Sequence, residues 1–235
     1  MHLKKMIIKE SNRKSGFTLA ETLITLVIIG IIAMITMPAI YSAYEERERA
    51  AKVKKVYSTF AQAFMFARVF GADMSFEEVD KSQAAMNAWY NEFMKSRLNT
   101  VKVCYDSPGC WNEGDTFYWN GQKVDSNRSG IGVGNEIIVA ILNDGTLVNM
   151  DMWSNQDSIK NTFGIDPKGS AMMIVFFDIN GVKGPNTVGR DVFVMGYSAK
   201  LGLVPAYKDK TKSQINSDCS KGKTGVSCIG KYLAN

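Results

Sequence analysis

Histidine is almost absent from this sequence, which has one in 235 residues together with five prolines and four cysteines. The single His2 argues against Ser-His-Asp and Cys-His catalysis and against zinc sites with histidine ligands. A large excess of charge of one sign is also lacking outside the N-terminal residues. The formal charge is +5, but residues 1–16 hold five basic side chains and one acidic one, which leaves 23 basic and 22 acidic residues beyond them. We therefore expect no nucleic-acid partner.

An apolar run occupies residues 17–44 and contains one charged residue, Glu21. Its apolar side chains surround the helix on all sides, unlike those of a helix at the surface of a soluble domain. At 1.5 Å per residue, 28 residues are enough to cross about 30 Å of hydrocarbon. Basic residues precede the run, so the positive-inside rule predicts a cytoplasmic N-terminus and places everything after Tyr44 across the membrane.

Three features distinguish this segment from a plain anchor. Glu21 costs about 2.5–3.5 kcal/mol in hydrocarbon unless it is protonated or paired, so it requires a partner. Pro38 lacks an N–H and, together with Gly30, predicts a helix that kinks or unwinds locally. Gly16 precedes the apolar run, whereas an ordinary signal peptide has its small-residue cleavage site after that run.

The junction reads Gly16 and then Phe17-Thr18-Leu19-Ala20-Glu21, with Pro38 at the twenty-second position counted from Phe17. This pattern resembles the N-terminus of the type IV pilin and type II secretion pseudopilin superfamily. The resemblance implies cleavage between Gly16 and Phe17 by a prepilin peptidase and N-methylation of the new Phe17 amine. It also implies that Glu21 pairs with the terminal amine of a neighbouring subunit in a filament, so residues 1–16 are a leader and 17–44 a filament-core helix.

The helix is predicted to continue through residues 45–70 as an amphipathic segment. Its apolar side chains recur at three- and four-residue spacing, at Val53, Val56, Tyr57, Phe60, Phe64 and Ala67. Such a stripe either binds a separate partner or packs on the chain's own sheet, and we favour the second interpretation. Gly71 is a plausible stop, which leaves residues 71–235 as an extracytoplasmic globular head.

Within the head, residues 76–98 show an imperfect helical pattern. Apolar runs at 136–142, 146–150, 171–179 and 192–197 predict strands, and the turn residues 143–145 between the first two predict a hairpin. A long transmembrane-plus-amphipathic helix followed by hairpin strands indicates an α+β fold, in which the helix packs on an antiparallel sheet. This is also the pilin-like architecture that the resemblance implies.

The four cysteines form two local groups, Cys104 with Cys110 and Cys219 with Cys228, all on the translocated side. An even number in an oxidising compartment favours two disulfides, and local pairing is the simplest of the three connectivities. A zinc site built from all four is the alternative, although neither spacing is typical of zinc knuckles. A C-terminal loop closed by a disulfide also resembles the one that many type IV pilins display.

A polar, glycine-rich loop covers residues 178–191. Asp178, Asn180 and Asp191 offer the oxygen ligands that calcium prefers, but Gly189 stands where an EF-hand requires glutamate. Turn chemistry explains the same residues without a metal. Major type II pseudopilins hold calcium in a loop near the C-terminus, so the resemblance makes calcium the candidate ion here, and otherwise we expect no cofactor.

We find no catalytic constellation, and we predict that the protein is not an enzyme. Spacing alone does not make an acid–base pair of Asp144 and Asp151. The aromatic residues Trp111, Phe117, Tyr118 and Trp119 offer either a sugar-binding surface or packing around the first cysteine pair, and we favour packing.

The resemblance implies a structural subunit, and we favour a type II secretion-like pseudopilus that supports protein export. The alternatives are a major or minor type IV pilin for adhesion, motility or DNA uptake, and a membrane-anchored binding module of another class. The expected partners are copies of the chain, other pilin-like subunits, prepilin peptidase and an inner-membrane assembly platform. We expect a single-pass inner-membrane protein with its head in the periplasm or extracellular space, and a filament after assembly.

Overall fold

The computed structural model describes Gly16 and residues 18–71, 82–112, 115–124, 131–134 and 136–233. The chain divides into two compact units, Met1–Arg47 and Glu48–Asn235. The boundary between them falls within the first helix, so the second unit contains the C-terminal part of that helix as well as the head.

Helix α1 spans Leu19–Val69 and contains both Gly30 and Pro38. It ends in a turn at Gly71, whose φ of +85° is a backbone conformation that glycine adopts readily. The long N-terminal helix predicted from the sequence is thus confirmed, while Phe17 lies outside the described residues. Among the described residues, α1 is the one helix with the length and apolar composition needed to cross a membrane.

The part of α1 in the second unit packs on the sheet of the head. Its buried side chains are Val53, Val56, Phe60, Ala63, Phe64 and Ala67. The Phe64 ring stacks on that of Tyr197, with their centroids 3.8 Å apart. The Tyr57 hydroxyl donates a hydrogen bond of 2.8 Å to the Leu203 carbonyl oxygen. The apolar stripe therefore packs on the chain's own sheet, as we favoured.

Residues 76–98 differ from the single helix that their pattern predicts. Helix α2 spans Gln83–Trp89, a π-helical turn spans Tyr90–Met94, and turns lead to Asn99. Ser82 begins α2 as an N-cap, its hydroxyl accepting a hydrogen bond from the Ala85 N–H. Residues 76–81 lie outside the described residues. The described part is therefore shorter and less regular than expected.

The sheet is an antiparallel meander of six strands in which every strand pairs with its neighbours in sequence. The strands are β1 Thr100–Tyr105, β2 Ile137–Leu142, β3 Leu147–Trp153, β4 Met172–Asp178, β5 Val192–Ser198 and β6 Gly202–Pro205. In register, Ala140 is opposite Val148 and Val175 is opposite Met195. The predicted hairpin and the α+β architecture are confirmed.

Several shorter elements were not predicted from the sequence. They are the edge strands β1 and β6, helices α3 Gln156–Phe163, α4 Lys212–Asp218 and α5 Ile229–Leu233, and a 3-10 turn at Val226–Cys228. Strand β1 mixes exposed and buried positions, and β6 has four residues including a proline. Such short elements show little hydrophobic periodicity in the sequence. Their conformation therefore depends on contacts with other parts of the fold.

Both faces of the central strands are covered. Side chains alternate across a strand, so Met173, which is opposite Tyr197, faces α1, and Phe176 faces the other way. Phe176 meets the Phe163 ring of α3 edge-on, with their centroids 5.8 Å apart. Strands β4 and β5 are consequently buried at every position. The core lies at the middle of the sheet, and the polar loop of residues 179–191 connects its two most buried strands.

Candidate functional site

The first candidate site is the start of α1. Thr18 donates hydrogen bonds of 2.8 Å from its backbone N–H and from its hydroxyl to Oε2 of Glu21. The Glu21 N–H donates in return to the Thr18 hydroxyl oxygen at 3.2 Å. This reciprocal arrangement is a capping box, which satisfies backbone donors at the helix start.

The capping box modifies the expectation that Glu21 depends on a neighbouring subunit for a partner. Its own chain supplies one, and the spacing Thr18-x-x-Glu21 was the signal that our sequence analysis missed. Both bonds from Thr18 end on Oε2, and among the described residues Oε1 accepts no hydrogen bond. Oε1 therefore remains open to a cation from outside the chain.

The structure does not test the roles predicted for Gly16, Gly30 and Pro38, which stay predictions. Gly16 is exposed ahead of α1, and Phe17, the other side of the predicted cleavage point, lies outside the described residues. Gly30 and Pro38 both lie inside the helix, and a Cβ added at Gly30 would meet no other atom of this chain within 4 Å. A second helix therefore has room to approach α1 at Gly30.

All four cysteines form disulfides with their local partners, Cys104 with Cys110 and Cys219 with Cys228. No thiol is left for the alternative zinc site. The first disulfide packs with Ile137 and Val139 in a small cluster of its own, whereas the second adds the fully buried Cys228 to the main core. The second disulfide thereby ties the end of α4 to the 3-10 turn.

The second candidate site is the polar loop after β4. Asp178 is fully buried, and its Oδ1 accepts a 3.0 Å hydrogen bond from the Asn180 N–H. Its Oδ2 accepts a 3.0 Å hydrogen bond from the side-chain amide of Asn112, 66 positions earlier in the chain. Nothing in the local pattern of the loop indicates Asn112, because only the fold brings the two segments together.

Asp191 closes the loop. Its Oδ2 accepts hydrogen bonds from the Asn186 N–H at 2.9 Å and from the side-chain amide of Asn180 at 3.2 Å. Its Oδ1 accepts one from the Thr187 N–H at 2.6 Å. Asp178, Asn180 and Asp191, the three predicted ligands, therefore lie in one hydrogen-bonded cluster.

The electrostatics of this cluster are unfavourable for two carboxylates. Burial raises the pKa of Asp178 to about 7, and the charge of Asp191 contributes to the rise. Burial also raises the pKa of Asp191, against the effect of its hydrogen bonds. Within the described part of the chain, neither Lys183 nor Arg190 forms an ion pair with these carboxylates. The described part of the chain thus supplies these carboxylates with no ion-paired cation.

The oxygen atoms of this cluster are suitable ligands for a hard cation. The side-chain oxygens of Asn112, Asn180 and Asn186 are buried and have no hydrogen-bond partner among the described residues. Together with the two carboxylates they are oxygen ligands of the kind that calcium binds. Groups of three or more histidine, cysteine or acidic residues able to hold a metal do not occur in the described ranges, so any ion here would depend on amide oxygens.

The remaining candidates from the sequence are dispersed. Asp144 pairs with Lys55 at 2.7 Å, while Asp151 accepts a hydrogen bond from the Trp153 indole, so the two carboxylates serve different contacts. The aromatic residues beside the first disulfide mostly pack inward. Trp111, Tyr118 and Trp119 are partly buried against the core, and Phe117 is partly exposed.

Comparison with known proteins matches residues 11–37 to the family model described as the prokaryotic N-terminal methylation motif. No curated protein and no solved structure matches the chain significantly. The motif supports a pilin-like or pseudopilin-like precursor, and implies processing by prepilin peptidase and assembly with pilin-like subunits. The motif family is structural rather than enzymatic, and the apolar helix suggests membrane anchoring. With this motif, its long apolar helix and its antiparallel sheet, the chain fits the type IV pilin-like proteins.

Proposed function

We propose that this protein is a structural subunit of a type II secretion-like pseudopilus. Prepilin peptidase removes residues 1–16, and residues 17–44 then hold the mature subunit in the inner membrane with its head in the periplasm or extracellular space. The subunit leaves the bilayer through an inner-membrane assembly platform and joins copies of itself and other pilin-like subunits. The resulting short filament supports protein export.

The observation that carries this proposal is the methylation motif followed by the arrangement at Glu21. Processing creates a new amine at Phe17, which is a cation in a segment that otherwise has one charge. Thr18 holds Oε2 of Glu21 in place, and Oε1 is directed to no group of the described chain. An amine from a neighbouring subunit offsets the cost of that carboxylate in an apolar filament core and sets the register between subunits.

Replacing Glu21 tests the assembly step. Because Glu21→Ala also removes the capping box, Thr18→Val is the matched control, which loses the hydroxyl but keeps the carboxylate. We expect Glu21→Ala to insert and be cleaved normally and to form no filaments, as seen by electron microscopy and subunit cross-linking. Thr18→Val should still assemble. Normal filaments from Glu21→Ala would contradict this mechanism.

A strain that lacks the gene separates a pseudopilus from a type IV pilus. Its released proteins are compared with those of its parent, and surface filaments are counted by electron microscopy. Loss of exported proteins with surface filaments unchanged supports the export function. Intact export with missing surface filaments would contradict the export function and support the alternative, a subunit of type IV pili.

We also propose that the cluster of Asp178, Asp191, Asn180 and Asn112 holds a calcium ion. The two buried carboxylates repel each other and the amide oxygens lack partners, so a divalent cation relieves both penalties at once. The ion would also bridge the β4–β5 loop to the segment after the first disulfide. The proposal concerns the stability of the head and not a reaction.

Thermal unfolding of the full chain in detergent tests this site. Calcium at one hundred times its Kd adds about 2.7 kcal/mol, which raises Tm by roughly 5–10 °C for a chain of this size. Asp178→Asn should abolish the increase. Asp166→Asn is the control, because the Asp166 side chain is about half exposed and pairs with Lys168. An equal Tm in calcium and in chelator for the unmodified chain would rule the ion out.

A further inference from the structure

A cleft of about 650 Å³ lies between the C-terminal part of α1, the end of β6 and helices α4 and α5. Five lysines line it: Lys54, Lys208, Lys210, Lys212 and Lys231. Apolar surface comes from Tyr57, Pro205, Ile215 and Leu233. The cleft is thus within the size range of ligand sites and combines an apolar lining with several positive charges.

Three of the five lysines in this cleft are not compensated by an ion pair with the described residues. No carboxylate of the described residues lines the cleft, and Lys54, Lys208 and Lys212 form no ion pair within the same part of the chain. The Lys210 ammonium lies 3.9 Å from the centre of the Tyr207 ring. Asp218 is close enough to interact with Lys210, but its oxygens accept hydrogen bonds from Ser227 and other neighbours. The cleft therefore favours an anionic occupant.

We propose that the lysine-lined cleft binds an acidic peptide segment that carries apolar side chains, and that a second copy of the chain supplies it through residues 73–80. That stretch, DMSFEEVD, has four acidic residues, three apolar ones and no basic one. Its carboxylates complement the lysines, and its methionine, phenylalanine and valine match the apolar lining. The second copy rests on the proposed assembly, whereas the peptide specificity of the cleft does not.

Chain length favours a second copy over the same copy. The segment leaves α1 at Gly71, fourteen residues beyond Tyr57 of the cleft, or about 21 Å along the helix. It returns at Gln83, which hydrogen-bonds to Ile137 of β2, four strands or about 19 Å from β6. The path into its own cleft and back is therefore about 40 Å. Twelve residue steps cover at most about 40–43 Å when fully extended, so the segment reaches its own cleft only as a fully extended chain, with no length to spare for packing inside it.

Fluorescence anisotropy of a labelled peptide, ADMSFEEVDK, measures the interaction with the full chain in detergent. We expect binding that Lys208→Gln combined with Lys212→Gln weakens at least tenfold. The matched control is Lys221→Gln combined with Lys223→Gln, which removes the same charge outside the cleft and should leave binding unchanged. A peptide with amides in place of its four carboxylates, and one with serine in place of its phenylalanine, should both bind more weakly.

Three results would overturn the proposal. The first is no binding of the acidic peptide to the unmodified chain, and the second is equal weakening by the control variant. The third is displacement of the peptide by inorganic tripolyphosphate at equal charge concentration, which would show that the cleft recognises charge alone. None of these requires filaments, so failure here is distinguishable from failure of the assembly mechanism.

A photo-reactive amino acid at position 208 tests the second copy in cells. A cross-link between two chains that maps to residues 72–81 supports the proposal. A cross-link to the same residues within one chain would contradict the intermolecular arrangement.

Discussion

Asp218 organises the C-terminal loop. Its Oδ2 accepts hydrogen bonds from the N–H and the hydroxyl of Ser227, at 3.0 and 2.8 Å, and its Oδ1 accepts one of 2.9 Å from the Thr224 hydroxyl. Burial alone would raise the pKa of Asp218, but these hydrogen bonds and the charge of Lys210 outweigh it and lower the pKa. Together with the neighbouring disulfide at Cys219, one carboxylate thus holds the loop closed.

We expect Asp218→Asn to destabilise the head by about 1–2 kcal/mol at pH 7, because hydrogen bonds to a charged acceptor are replaced by weaker ones. The lowered pKa means that the carboxylate contributes stability above the unfolded pKa of about 4 and loses it as the pH falls through the folded value. The difference between variant and unmodified chain should therefore shrink in acid. Tryptophan fluorescence during denaturation measures it, and the exposed Asp209→Asn is the control, expected to change little. A constant difference across this pH range would refute the electrostatic explanation.

At the scale of elements, helix α1 holds the head together through one face. Phe60 and Phe64 are fully buried there, while Phe66, two residues later, is about half exposed. Phe64 lies against Tyr197 of β5 and near Trp89 of α2, so it joins helix, sheet and second helix. The Phe66 ring instead lies 5.1 Å from the Arg97 guanidinium at the surface.

This asymmetry predicts different costs for the same substitution. Phe64→Ala should lower the free energy of unfolding by about 3–5 kcal/mol, because it leaves a cavity between α1 and the sheet. Phe66→Ala should lower it by no more than about 1 kcal/mol, which is the size of an exposed cation–π contact. Denaturant unfolding of the two variants, monitored by near-ultraviolet circular dichroism, compares them directly. Similar losses from both would mean that the buried face does not carry the packing.

Across the whole molecule, the two units differ in the exposure of their apolar side chains. The second unit buries them on both sides of its sheet. The first exposes large apolar side chains along α1, among them Leu23, Ile24, Leu26, Val27, Ile31 and Ile35. An exposed apolar surface of this extent requires a bilayer or other apolar helices around it. Membrane residence and later helix packing are two ways to meet the same requirement.

The proposed cleavage after Gly16 would change the formal charge of the chain from +5 to +1, because residues 1–16 carry most of the excess charge. In a host with a prepilin peptidase, we expect intact-mass measurement to find a chain that begins at Phe17 and carries one methyl group. Gly16→Leu should retain the leader, since a bulky side chain replaces glycine at the cleavage point. Ser15→Ala should be processed normally. A processed Gly16→Leu chain would place the cleavage elsewhere.

Features that depend on local periodicity and segment length could be predicted from the amino-acid sequence alone. Residues 17–44 predict a long apolar helix because most of their side chains are apolar, and the stripe from Val53 to Ala67 predicts the face that packs. The turn at 143–145 between two apolar runs identified the β2–β3 hairpin. The cysteine spacing favoured the two local disulfides that the structure contains.

Contacts between residues far apart in the sequence could not be predicted, because they depend on the three-dimensional fold. The fold places Asn112 against Asp178. It also brings Lys54 together with Lys208, Lys210, Lys212 and Lys231 in one cleft, although the chain beyond residue 16 is nearly neutral. It also added the edge strands β1 and β6, whose short patterns are ambiguous alone. Residue spacing in the sequence describes neighbours along the chain, whereas binding sites form from residues that are neighbours in space. Here the packing of α1 and the C-terminal helices on the sheet creates these spatial neighbours.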